Sequence, residues 1–397
     1  MSTEIHLNPT RLSILSISRD KYWIFVSSIQ QLLYKSIEIK SGGSSEFADD
    51  NDISEDDELN EYSSCGSGSG SNTFTDSDFL TKGAVDNSSK LCPQTPPAPP
   101  EEESDEDNFF HIALTPEECT VICSQKLMNQ CFLQAVEVCS QLNYKDVQLL
   151  PETYLSLCVD SDGDTDASWR ILELTKPLSE NNISLFFISS YFNNVVLIPY
   201  VLKDRVVSIL RRKNFEFLDI SNSYIPAWGS SPIGTEFNFE QGSQFLEKQT
   251  FQMFHEEGIK PVINYRNPLL LTGSRTCDIH NTILKACKIL SATNCIPSFF
   301  GITKADTQCS LLLPRSRKLR SQLGFESPYI MGSLLDTIIP ISIDLSKLEI
   351  NSTGIVAGLA SKLSDTGLLY YLSMARSGVI MIPKENIGVV GEILKST

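Results

Sequence analysis

The sequence predicts an α+β fold: four tandem ferredoxin-like (βαββαβ) units in two similar halves, with a long acidic insert in the first. Three observations lead there: an internal repeat, one element pattern that recurs along the chain, and charge confined to one segment. The repeat compares residues 169–210 with 354–394. Leu174, Leu178, Ser179 and Glu180 meet Leu359, Leu363, Ser364 and Asp365 at a spacing of 185. After a one-residue gap, Ser189, Val195, Val196, Leu197, Ile198 and Pro199 meet Ser373, Val379, Ile380, Met381, Ile382 and Pro383 at 184, and Val206, Ile209 and Leu210 meet Val390, Ile393 and Leu394. A fainter echo sets Cys119-Thr-Val-Ile122 against Cys309-Ser-Leu-Leu312, 190 apart. Register held over so long a stretch marks a duplicated architecture.

Each unit spells one pattern. Tyr154–Val159 reads as a strand. Trp169–Leu178 is apolar at helical spacing. Ile183–Ile188 and Val195–Ile198 are short apolar runs of strand length. Val201–Arg212 is a second helix and Phe215–Leu218 a closing strand. The last unit repeats the order with Ile338–Leu345, Gly354–Leu363, Leu368–Leu372, Val379–Ile382 and a helix after Pro383, where proline suits a helix start. Strand, helix, strand, strand, helix, strand is the ferredoxin-like motif. Near the N-terminus, Arg11–Ile17 alternates as a strand, and Phe110–Leu114 and Thr120–Cys123 flank a turn at Pro116-Glu117-Glu118. The expected boundaries are 1–40 plus 108–150 for the first unit, 151–222 for the second, 223–262 as a turn-rich linker, 263–333 for the third and 334–397 for the fourth.

The insert, 41–107, holds 18 acidic residues and only Lys82 and Lys90, a balance of −16 against −17 for all 397 residues. Its Gly/Ser and Pro tracts carry few apolar groups to offset ordering entropy, so it is expected to be disordered. Ser54, Thr75 and Ser104 each precede an acid by three residues and Thr95 precedes a proline, so a phosphorylated arm is expected there. The rest of the chain is near neutral, with no basic face for nucleic acid.

No run reaches the roughly 20 apolar residues of a membrane span, and Met1–Pro9 has no leader pattern. Eleven cysteines without CxxC read as reduced and buried, which points to the cytosol or nucleus, with a cytoplasmic location expected. The four histidines have no ligand spacing with them, so no metal and no cofactor are expected. The acidic run Asp160–Asp166 suggests a calcium loop, but the twelfth position is Ile171. With no GxxxxGK[ST] or GxGxxG, and no nucleophile beside His255 or His280, no enzymatic activity is expected.

The ordered set Arg11–Tyr34, Phe109–Cys123, Pro177–Tyr191, Thr353–Ala357 and Ile382-Pro383 resembles the CASTOR-type family, cytosolic amino-acid sensors built of tandem ACT domains. The resemblance implies a ligand site between the second and fourth units, with Ser184 and Leu185 on one side and Thr353, Gly354, Ile355, Ala375 and Gly378 on the other. A glycine opening a helix suits a carboxylate, because the first helical N–H groups have no partner. The resemblance further implies action on a GATOR-type complex upstream of the TOR kinase, with Tyr191, Phe192 and Asn194 in the partner loop. The family's Asp falls at Gly378, its acid before the helix glycine at Ser352 or Thr353, and its Phe at Ala375. An arginine ligand would thus lack its guanidinium partner, and a smaller or acidic one with Arg376 as counter-ion is the alternative. A ligand-independent scaffold of the same architecture is the competing expectation. Exposed sheet edges or helix faces would allow a homodimer.

Overall fold

The computed structural model describes residues 3–38, 109–160, 167–219, 239–292, 296–326 and 330–395. The acidic insert with its phosphorylation motifs, most of the Asp160–Asp166 run and most of Asn222–Gly242 lie outside the described residues.

One element order occurs four times. The first run is β1 (Thr3–Ser18), α1 (Val26–Glu38), β2 (Phe109–Leu114), β3 (Glu118–Ser124), the paired helices α2 (Gln125–Cys131) and α3 (Leu133–Gln141), and β4 (Val147–Leu149). The second is β5 (Tyr154–Asp160), α4 (Ala167–Glu180), β6 (Phe186–Ser189), β7 (Asn193–Pro199), α5 (Lys203–Arg211) and β8 (Phe215–Asp219). After α6 (Phe239–Glu257) and β9 (Val262–Ile263) come β10 (Leu269–Gly273), α7 (Ile279–Ser291), β11 (Phe300–Ala305), β12 (Gln308–Pro314) and α8 (Arg317–Gln322). The fourth run is β13 (Ile338–Asp344), α9 (Ile355–Lys362), β14 (Tyr370–Ser373), β15 (Ser377–Pro383) and α10 (Ile387–Lys395).

Among the described residues, fifteen strands join one sheet. Twelve run in the order β10-β12-β11-β2-β3-β1-β5-β7-β6-β14-β15-β13, and the circuit closes where Leu269 of β10 pairs Ile338 of β13. Closure removes the open edges of these strands, so the sheet-edge route to a homodimer has no basis within the circuit. The barrel interior gathers Leu12, Ile14, Phe109, Ile122, Tyr154, Phe186, Ile188, Phe299, Leu312, Leu372 and Met381 from all four runs. The intervening residues face the helices: Leu15, Ile17, Val121 and Ile302 pack with α1 and α7, and Leu157, Val196, Ile341 and Ile380 pack with α4, α6 and α9. A strand buried on both faces reads as a continuous apolar run rather than an alternation. That is why Val195–Ile198 and Val379–Ile382 carry no period of two.

Several expectations need correction. Strand β8 forms, but it pairs in parallel with β1, because the N-terminal half of β1 lies between it and β5. The expected linker contains α6, which packs on α9, and β9, which pairs β13. Strand β3 begins at Glu118, since Thr115 N–H bonds the Glu118 carbonyl at 2.9 Å and closes the turn early. Pro383 ends β15, and a short 3₁₀ turn, Lys384–Asn386, separates it from α10.

Candidate functional site

The sheet is joined differently at its two cross-half seams. Strands β2 and β11 form a six-pair antiparallel ladder, Phe109↔Ala305 through Leu114↔Phe300. Strands β6 and β14 share one bridge, Ile188↔Leu372. Two serines supply the remaining links. The Phe187 N–H donates to Ser373 Oγ at 2.8 Å, and the Tyr371 N–H donates to Ser189 Oγ at 3.0 Å. Each residue lies 184 from its counterpart, so the exchange follows the internal repeat. A seam held by side chains leaves room beside it that a full ladder would close.

A cavity of about 510 Å³ lies beside this seam, within the range of small-molecule sites. Ser179, Ile183, Leu185 and Phe186 line it from the second run. The β13–α9 loop from Leu345 to Thr353, the start of α9, Tyr371, and the segment Ser373–Ser377 line it from the fourth, and Gln148 of β4 adds one residue from the first.

Gly354 is the residue before α9. Its φ is +88°, a left-handed conformation that suits glycine, and no side chain caps the helix. The first intrahelical bond runs from the Gly358 N–H to the Gly354 carbonyl at 2.7 Å. The preceding amides, from Ile355 onward, have no carbonyl within the helix to bond. Together with the helix dipole they present positive character to the cavity. The Gly354 carbonyl also accepts from Thr250 Oγ1 of α6 at 3.1 Å. Gly358 lets α6 come this close, since a Cβ there would overlap the Thr250 hydroxyl and stand 2.9 Å from the Leu246 carbonyl oxygen.

Arg376 brings a guanidinium to the rim. Burial alone would raise the Asp344 carboxyl, but the Ser346 N–H and the Arg376 charge hold it below the usual range. Glu349 also lines the cavity and is exposed.

The structure brings together five of the seven expected ligand residues: Leu185, Thr353, Gly354, Ile355 and Ala375. Ser184 is half-buried and does not line the cavity; both it and Leu185 precede β6, which starts at Phe186. Gly378 sits inside β15, paired with Ser373 and Ile343, and also does not line the cavity. A Cβ at Gly378 would overlap the Tyr371 hydroxyl and stand 3.1 Å from its Cζ, so the tyrosine fills the space of a side chain there.

The expected partner loop is docked on its own chain. The Tyr191 N–H donates to Ser310 Oγ at 3.1 Å, and Asn193 Nδ2 donates to Gln308 Oε1 at 3.0 Å. A Cβ on Gly273 would stand 2.6 Å from both aromatic rings of Tyr191 and Phe192, and Asn194 is buried in β7. Thr250 was hidden in the supposed linker. Its signal is the apolar spacing of Leu246, Phe251 and Phe254 around it.

Among the described residues no group of three His, Cys, Asp or Glu could hold a metal, and no helix is long and apolar enough to cross a membrane. Comparison with known families finds two ACT domains, at 149–212 and 333–396, the two runs that share the cavity. ACT domains commonly bind small molecules such as amino acids in regulatory proteins. Among solved structures, aspartate kinase from Synechocystis is similar at 8% identity and a TM-score of 0.32, over 99% of this chain and 56% of that one, so the chain spans little more than half of that protein. Protein Atu0741 from Agrobacterium tumefaciens is similar at 13% identity and a TM-score of 0.22, over 30% of this chain and 91% of that one. No curated protein matches the chain.

Proposed function

We propose that this chain is a regulatory protein that binds a free amino acid in the cavity between its second and fourth units. One observation carries the reading: both ACT domains contribute walls to a single cavity, with the open start of α9 on one side and Leu185 and Phe186 on the other. In this reading the α-carboxylate lies at the Ile355 amides, and Leu185, Ile355 and Phe186 cover the apolar part of the ligand. Binding, rather than catalysis, is the role assigned, and no cofactor is invoked.

The ligand is not arginine held through a carboxylate at the Gly378 position, because Tyr371 occupies that space. The first and third runs are read as two further ACT-type units, supported by the element order they share with the matched pair. The finer reading is a CASTOR-type sensor, acting in the cytoplasm on a GATOR-type complex upstream of the TOR kinase. Its support is the resemblance of the ordered residue set.

The alternative is a ligand-independent scaffold, supported by the absence of an acid at Ser352, Thr353 and Gly378, where the resembled family carries its ligand-binding acids. A thermal-shift screen of the full chain against the twenty amino acids, one at a time at millimolar concentration, separates the two. A bound ligand stabilises by RT ln(1 + [L]/Kd). A shift with one or a few amino acids supports the sensor; a flat screen on folded protein moves the assignment to the scaffold.

A further inference from the structure

Glu118 is a carboxylate at the barrel interior, 4% exposed, and it stands in the first run, outside both matched domains. Four donors converge on it. Ser377 Oγ and the Arg376 N–H reach Oε1 at 2.6 and 3.3 Å; Ser16 Oγ and Thr120 Oγ1 reach Oε2 at 3.1 and 3.4 Å. Beside it, the Ala375 N–H donates to Thr120 Oγ1 at 3.2 Å. An ionised carboxylate accepts on both oxygens, so this surround suits the charged form. Burial lifts its pKa above the usual carboxylate range, and the bonds from Ser377, Ser16 and the Arg376 N–H offset only part of that rise.

The residues held are the cavity wall itself. Ala375, Arg376 and Ser377 all line the cavity, and Glu118 grips the turn they form from behind. The internal repeat supplies a control. Glu118 corresponds to Gln308, Thr120 to Ser310, and Ser377 to Asn193, and the second set repeats two of these bonds on the Ser190–Asn193 turn: Tyr191 N–H to Ser310 Oγ, and Asn193 Nδ2 to Gln308 Oε1. The clamp built on a carboxyl group is the one that backs the cavity, and its counterpart is built on an amide.

We infer that Glu118 is a positioning residue of the ligand site: the first unit sets the wall formed by Ala375–Ser377, and ligand occupancy and the packing of the first unit are therefore coupled through it. The coupling rests on the proposed ligand role of the cavity; the positioning does not.

Hydrogen-exchange mass spectrometry on the full chain, wild type against Glu118→Gln, tests the inference. The variant keeps the shape but replaces one accepting carboxyl oxygen with an NH2 group that only donates. Exchange in peptides covering Met374–Ser377 is expected to rise about tenfold, the size of one lost buried hydrogen bond, while the Ser190–Asn193 turn stays as it was. The second arm titrates both proteins with whichever of the twenty amino acids shifts the wild type, and expects weaker binding to the variant at unchanged stoichiometry. Unchanged exchange at Met374–Ser377, or an equal rise in both turns, overturns the positioning role. Equal affinity for the two proteins overturns the coupling. A wild type that binds no amino acid refutes the proposed function and the coupling with it, while the exchange result still decides the positioning.

Discussion

The hydroxyl of Tyr371 occupies the space that a side chain on Gly378 would need. Both are buried, on neighbouring strands β14 and β15. Gly378→Ala should therefore overpack the core and cost about 1–3 kcal/mol. Gly378→Asp should cost more and should not confer arginine binding. Tyr371→Phe removes the overlapping oxygen, so Gly378→Ala should cost less in that background. Urea denaturation of the two single variants and the double would show positive coupling. Additive losses would mean that the two residues do not compete for space.

The helix seam between α6 and α9 rests on Gly358. Gly358→Val should displace α6, because the Leu246 carbonyl on the far side is backbone and cannot rotate away. The expected loss is about 2 kcal/mol or more. Thr250→Val removes the bond to the Gly354 carbonyl and should cost about 1 kcal/mol. Thermal unfolding of the purified variants checks both.

His111 gives a pH dependence with a definite sign. It is fully buried in the barrel, its Nδ1 lies 2.8 Å from Thr303 Oγ1, and burial pushes its pKa down from 6.5 to about 3. Below about pH 6.5 the unfolded chain binds a proton that the folded chain refuses. Its contribution is therefore present in full above pH 6.5 and is lost as the pH falls toward 3. Between pH 6.5 and 5 this residue should remove about 2 kcal/mol. The difference between wild type and His111→Phe, measured by urea denaturation across that interval, isolates it; a difference independent of pH would contradict the account.

The serine pair at the β6–β14 seam makes a symmetric prediction. Ser189→Ala orphans the Tyr371 N–H and Ser373→Ala orphans the Phe187 N–H. Each should cost about 1–3 kcal/mol, by similar amounts. Comparable alanine changes at exposed serines away from the seam should be near neutral.

Much of this arrangement is legible in the repeat. The spacing of 184 that pairs Ser189 with Ser373 also relates the two hydrogen bonds across the seam. The spacing of 190 that pairs Thr120 with Ser310 relates the two clamps. Local pattern also places β5, α4, β7, β13, α9 and β15 close to their observed bounds. What stays hidden is long-range. Nothing in the apolar run at Leu269–Leu271 says that it meets Ile338 and closes a barrel, and nothing at Phe215–Leu218 says that β1 intervenes before β5. The helix α6 is obscured by the turn-rich stretch that runs into it, although its apolar spacing is helical and its Gln, Glu and Lys residues are good helix formers. The Tyr371 hydroxyl at Gly378 is a packing fact between strands, which a resemblance at Gly378 alone does not contain.

Equilibrium dialysis of the full chain against a mixture of the twenty amino acids, with the retained ones identified by mass spectrometry, tests the central claim most directly. The account predicts that one amino acid, or a small group of like chemistry, is retained at about one equivalent per chain, and that Leu185→Trp, which fills the cavity, abolishes retention while the protein stays folded. Retention of none, or retention untouched by Leu185→Trp, would contradict it.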